Sequence, residues 1–139
     1  MRSESYYRIL LVDDQEELIE AIEFLLEEVL ENRVRFVRSC NGLEALRKID
    51  KQEFDLIITD LNMPKLEGID FIRRLRKYKI LNKDTPVILL SGSVLRMHVD
   101  ESTLLKITDI LVKPVEHQRL ELAVKKALNI TSYEEDVAV

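Results

Sequence analysis

The 139-residue sequence predicts one α/β domain: a doubly wound parallel sheet of five strands with five helices. Three observations carry this. Short, mostly apolar runs alternate with longer stretches whose apolar residues recur at helical spacing. Strands this apolar are buried on both faces, the condition of a parallel sheet covered by helices. Polar or charged residues follow four of the runs directly, and a parallel sheet gathers its strand ends along one edge. Right-handed crossovers then place helices on both faces.

Arg8-Ile9-Leu10-Leu11-Val12 reads as the first strand and ends at Asp13-Asp14. The helix that follows has Leu18, Ile22, Leu25, Leu26 and Val29 on one stripe. Glu16 and Glu17 fall in its first turn, where the helix dipole favours negative charge. Val34 to Val37 is the second strand, and Asn41-Gly42 turns the chain into a second helix marked by Leu43, Leu46 and Ile49. Phe54 to Thr59 is the third strand and stops at Asp60. A loop with Pro64 and Gly68 leads to a third helix carrying Ile69, Ile72 and Leu75, with Arg73, Arg74, Arg76 and Lys77 mostly on its solvated side. Pro86 to Leu90 is the fourth strand, ending at Ser91-Gly92-Ser93. Val94 to Lys106 mixes apolar and charged residues and is read as a fourth helix. Asp109 to Val112 is the fifth strand, followed by Lys113-Pro114, and Leu120, Ala123, Val124, Ala127 and Leu128 mark the fifth helix. Residues 1–7 are read as an N-terminal extension and 129–139 as a tail.

Hydrophobic residues make up 46% of the chain and charged residues 34%, which suits a globular domain with a real core. A net charge of −5 gives the composition as a whole no nucleic-acid-binding character. Cys40 is the only cysteine, so no intrachain disulfide can form. With no evident base partner it reads as a small buried residue rather than a nucleophile. No apolar stretch approaches membrane-spanning length, and the start lacks the apolar segment of a signal peptide. The expectation is a cytoplasmic protein.

The strand ends carry the chemistry. Asp13-Asp14, Asp60, Ser91 and Lys113 each follow an apolar run. Carboxylates brought to one rim repel unless a cation joins them, and a hard divalent ion such as Mg²⁺ prefers oxygen ligands. Lys113 adds a point charge suited to a phosphoryl oxygen, and the Ser91 hydroxyl can donate to the same group. A carboxylate flanked by metal and ammonium can attack phosphorus. Taken singly, these residues are ordinary turn, cap or boundary residues. Four strands delivering them to one edge point to a phosphoaspartate.

With these residues in place the chain resembles the receiver domain of bacterial two-component response regulators, over about residues 8–128. The motifs are Leu11-Val12-Asp13-Asp14, Asp60 with Met63-Pro64 and Gly68, Ser91-Gly92, and Lys113-Pro114. The resemblance implies a flavodoxin-like sheet in strand order 2-1-3-4-5. It implies Asp60 as phosphoacceptor, and Mg²⁺ held by Asp13 and Asp14, one directly and one through water. Asp60 itself and the Asn62 carbonyl complete the implied metal ligands. Ser91 is implied as the hydroxyl that moves onto the phosphoryl group, Lys113 as its ion-pair partner, and Gly92 as the residue that keeps the approach open. A cis Lys113–Pro114 bond is also implied.

Two features depart from the family pattern. Ile110 stands where an aromatic switch residue is frequent, and an aliphatic side chain restricted at χ1 cannot make the same swing. The response to phosphate is therefore expected at Ser91 to Leu95. Leu105 to Asp109 also lacks the usual glycine-containing turn before the fifth strand, so the face built from the fourth helix and fifth strand is expected to be unusual.

The resemblance implies a signalling phosphoacceptor, not an enzyme acting on outside substrates. Its donor would be a sensor histidine kinase or histidine phosphotransfer protein, and its output contact with another protein. No direct nucleic-acid binding and no membrane insertion are expected. Two alternatives stand beside it. A phosphohydrolase of the haloacid dehalogenase type would share the strand-end aspartate and Mg²⁺, but would need a second aspartate where Asn62 stands. A non-phosphorylated interaction module would leave the pocket unused.

Overall fold

Five strands form one parallel sheet in the order β2-β1-β3-β4-β5. They are β1 (Tyr7–Val12), β2 (Val34–Ser39), β3 (Leu56–Asp60), β4 (Val87–Ser91) and β5 (Ile107–Val112). The computed structural model describes residues 6–63, 65–78, 80–92 and 105–131. Among these are four α-helices, α1 (Glu16–Val29), α2 (Gly42–Lys51), α3 (Gly68–Tyr78) and α4 (His117–Ala127), and a 3₁₀ turn at Ile80–Asn82. The fourth helix expected over Val94 to Lys106 falls mostly on residues 93–104, outside those described. Its expected end is corrected: Leu105 and Lys106 form a turn.

Alternation along the strands splits the core in two. Ile9, Leu11, Leu56, Ile58, Ile88 and Leu90 pack with Ile22, Leu26, Leu120 and Val124 of α1 and α4. Leu10, Val12, Ile57, Val87 and Leu89 pack on the other face with Ala45, Ile49, Phe71, Ile72 and Leu75 of α2 and α3. Every residue of β3 and β4 is buried. Each such Leu or Ile side chain stabilises the fold by roughly 1.5–3 kcal/mol, so the central strands carry much of its burial energy.

Register places the strand ends. Val12 lies opposite Thr59, Asp60 opposite Leu90, and Ser91 opposite Val112. Asp13, next after Val12, therefore shares a row with Asp60. Ser91 lies one residue farther out and Lys113 two. Asp60 and Ser91 are the last residues of their strands rather than the first loop residues, so the ladder itself holds them.

β5 is anchored in an unexpected way. Lys106 takes φ 55°, the left-handed conformation that a glycine ordinarily supplies. Arg76 compensates. It does not join Arg73, Arg74 and Lys77 in solvent but folds inward. Its Nε donates to the Leu105 carbonyl at 2.8 Å and its Nη2 to the Lys106 carbonyl at 3.1 Å. Its Nη1 donates to the carbonyls of Lys83 at 2.9 Å and Thr85 at 2.7 Å. One planar guanidinium thus ties α3 to the starts of β4 and β5.

Arg76→Met keeps the aliphatic stem and removes all four hydrogen bonds. It is expected to destabilise the fold by about 2–3 kcal/mol in urea unfolding. A variant as stable as the parent would show that the turn stands without the clamp.

Candidate functional site

Asp13 and Asp60 are each only 5% exposed, side by side at the ends of β1 and β3. Asp14 is exposed beside them. One carboxylate oxygen from each of the three lies within 4.8 Å of the other two. Such a cluster is unstable without positive charge, and Lys113 brings it from the end of β5. Its Nζ donates to Asp13 Oδ2 at 3.0 Å, lies 3.3 Å from Asp60 Oδ2, and donates to Gln15 Oε1 at 3.0 Å.

Backbone groups fix the rest. The Gln15 N–H donates to Asp13 Oδ1 at 2.8 Å, and the Asn62 N–H to Asp60 Oδ1 at 3.3 Å. The Lys113 N–H donates to the Ser91 carbonyl at 2.6 Å, so β4 and β5 stay paired up to the site. Ser91 is buried there. The Lys113–Pro114 peptide bond is cis, as the resemblance implied. Burial pushes the Asp60 carboxyl above the usual carboxylate range, and the charge of Asp13 adds to that. Lys113 and the Asn62 N–H oppose it.

The structure thus brings Asp13, Asp14, Asp60 and Lys113 together, with Ser91 and the Asn62 backbone adjoining. Ser93 and Pro64 lie outside the described residues. A methyl group on Gly92 would meet no described atom within 4 Å. Ile110 is half-buried and packs against the α2–α3 side of the core. Cys40 corrects an expectation: it is exposed. It sits just past β2, at the start of α2, where Glu44 Oε2 lies 3.2 Å from its Sγ. The hydrogen bond to that carboxylate raises the thiol's pKa, which disfavours the nucleophilic thiolate.

Two residues contribute in ways that the sequence pattern did not show. Gly68 had read as a loop marker, yet a Cβ there would overlap the Asp60 carbonyl oxygen and come within 3.0 Å of Leu61 Cα. Its φ is not positive, so space alone demands glycine. Gln15 carried no signal at all. It also helps to line a groove of about 920 Å³ that runs from Lys113 along the first turn of α1.

Comparisons with known proteins agree with this geometry. The family model for the response regulator receiver domain matches residues 9–125. Chemotaxis protein CheY-3 of Vibrio cholerae is 31% identical over 107 residues, covering 77% of this chain and 80% of that protein. Sporulation initiation phosphotransferase F of Bacillus subtilis is 30% identical over 126 residues, covering 90% and 96%. The chemotaxis response regulator CheY4 of Vibrio cholerae superposes with a TM-score of 0.76 at 27% identity, covering 89% of this chain and all of that one.

Two stability measurements check the site. The raised Asp60 pKa means that the unfolded chain gives up this proton more readily. The penalty is greatest above the raised folded-state value, shrinks as pH falls through it, and is gone below the ordinary carboxylate range. Asp60→Asn is therefore expected to stabilise the fold at neutral pH by on the order of 1 kcal/mol, with the gain shrinking toward pH ~4. A less stable variant at neutral pH would contradict this. Gly→Ala in a helix normally stabilises by about 1 kcal/mol. Gly68→Ala is expected to destabilise by about 2 kcal/mol or more, because α3 must move off the end of β3. A melting temperature equal to or above the parent's would show that the contact is not tight.

Proposed function

The chain belongs to the response regulator receiver domain family, and from that premise we propose that Asp60 is the residue that takes the phosphoryl group. The family's phosphoacceptor signalling function is therefore this chain's function. The observation that carries the assignment is Lys113 Nζ, held 3.0 Å from Asp13 and 3.3 Å from Asp60 within the carboxylate cluster.

The donor set fits a hard divalent cation: oxygens only, two of the three carboxylates buried, and all three within 4.8 Å. Asp13, Asp14, Asp60 and the Asn62 carbonyl would hold Mg²⁺. When bound, the ion supplies positive charge to the equatorial oxygens of the transferring group. This chain's residues do the rest. An Asp60 carboxylate oxygen forms the bond to phosphorus as the donor's bond to phosphorus breaks, and the donor keeps the electron pair. Lys113, already 3.3 Å from Asp60 Oδ2, would pair with a phosphoryl oxygen. The Ser91 hydroxyl donates to another, a charge-assisted bond that draws β4's end inward. Ile110, packed on the core and restricted at χ1, stays nearly still. Signalling is then a shift of population, set by how much more tightly one state of the Ser91 end holds the phosphate.

Receiver domains take their phosphoryl groups from histidine kinases or histidine phosphotransfer proteins. A donor of that kind, a protein as downstream target, and a cytoplasmic setting complete the reading. No helix among the described residues is long and apolar enough to cross a membrane. Catalysis is confined to the chain's own Asp60. The phosphohydrolase alternative is not favoured, because Asn62 cannot supply the proton that such a reaction requires.

The test is intact-mass spectrometry after incubation with acetyl phosphate. One added phosphate is expected on the parent with Mg²⁺, and none with EDTA or on Asp60→Asn. Equal uptake by Asp60→Asn would overturn the assignment.

A further inference from the structure

The geometry points to Gln15 as a positioning residue for Lys113, one whose side-chain carbonyl keeps the ammonium at the acceptor when Asp13 is committed elsewhere. This rests on the reading of Asp60 as phosphoacceptor.

An ammonium has three protons to donate. Those of Lys113 face Asp13 Oδ2 at 3.0 Å, Gln15 Oε1 at 3.0 Å and Asp60 Oδ2 at 3.3 Å. The acceptors differ in what the reaction asks of them. Asp13 is a buried carboxylate that would also ligate a cation, so its hold on the lysine is shared. Asp60 must present an oxygen to phosphorus. Gln15 is neutral, has no part in either task, and can hold Nζ throughout. Being uncharged, it adds nothing to the repulsion within the carboxylate cluster.

The local structure argues against an ordinary capping role. Gln15 occupies the N-cap of α1 with extended backbone, φ −90° and ψ 99°, yet its side chain makes no capping hydrogen bond. Asn, Asp or Ser would cap this helix far better. Each is shorter than Gln and would stop short of Lys113. The position thus forgoes helix stability in favour of reach. Its backbone serves the site as well, because the Gln15 N–H donates to Asp13 Oδ1 at 2.8 Å. That bond survives side-chain substitution, so variants isolate the carbonyl.

Two substitutions separate positioning from structure. Gln15→Asn supplies a better cap and a shorter arm. It is expected to melt at or above the parent's temperature and to take phosphate about fivefold to tenfold more slowly from saturating acetyl phosphate and Mg²⁺. Gln15→Glu keeps an oxygen at the same reach, adds one negative charge to the cluster, and is expected to recover part of the lost rate. An independent readout is the Lys113 ammonium resonance in a ¹⁵N-edited spectrum with saturating Mg²⁺, assigned by its loss in Lys113→Arg. It should be visible in the parent and the Glu variant and exchange-broadened in the Asn variant. A Gln15→Asn protein that matches the parent in rate and keeps the ammonium signal overturns the role, as does one that loses rate and stability together without rescue by Glu. A parent that takes up no phosphate brings down the phosphoacceptor reading instead, and is recognised by the missing mass increment.

Discussion

One ammonium among three carboxylates governs this molecule. Lys113 reaches from β5 to meet Asp13 and Asp60, with Asp14 close by. Removing charged groups from water is costly, and like charges this close are worse. The arrangement persists because Nζ answers two of the carboxylates at once, and because the backbone N–H groups of Gln15 and Asn62 donate to the other oxygen of Asp13 and of Asp60, respectively. What is left over is electrostatic demand: more negative charge than one lysine neutralises. The same demand makes the site receptive to a hard cation and then to a phosphoryl group, whose charge must be met at the transition state.

The fold exists to hold those ends level. β1, β3 and β4 are sealed on both faces, so their ends cannot drift. Gly68 lets α3 start against the Asp60 carbonyl, and the Arg76 guanidinium fastens the start of the strand that delivers Lys113. These contacts are at opposite edges of the sheet, yet both bear on one distance, that between the lysine and the acceptor. Rigid strands carrying reactive ends suit a switch whose signal is a small movement: only a stiff frame passes it on.

Much of this was legible in the sequence because it depends on periodicity and on strand ends. Apolar runs located all five strands, and the residues after them gave the carboxylates and the lysine. Residues that act through shape or reach were not legible. Arg76 sits among Arg73, Arg74 and Lys77 and shares their composition, and only the third dimension turns it inward. A missing glycine before β5 reads as a defect, whereas the structure accepts Lys106 at positive φ and clamps the turn from α3. Gln15 has no signature, since a glutamine at an N-cap is merely a poor cap. Cys40 was misplaced because cysteine is usually buried, and here a turn puts it in solvent beside Glu44.

The central claim is that the crowded carboxylates serve to turn one of them, Asp60, into an acyl phosphate. Borohydride reduction of the freshly phosphorylated protein, followed by peptide sequencing, converts an aspartyl phosphate into homoserine and so marks its position. Homoserine at residue 60 alone is the expected result. Homoserine at Asp13 or Asp14, or phosphate retained on a residue that borohydride does not reduce, would contradict the account.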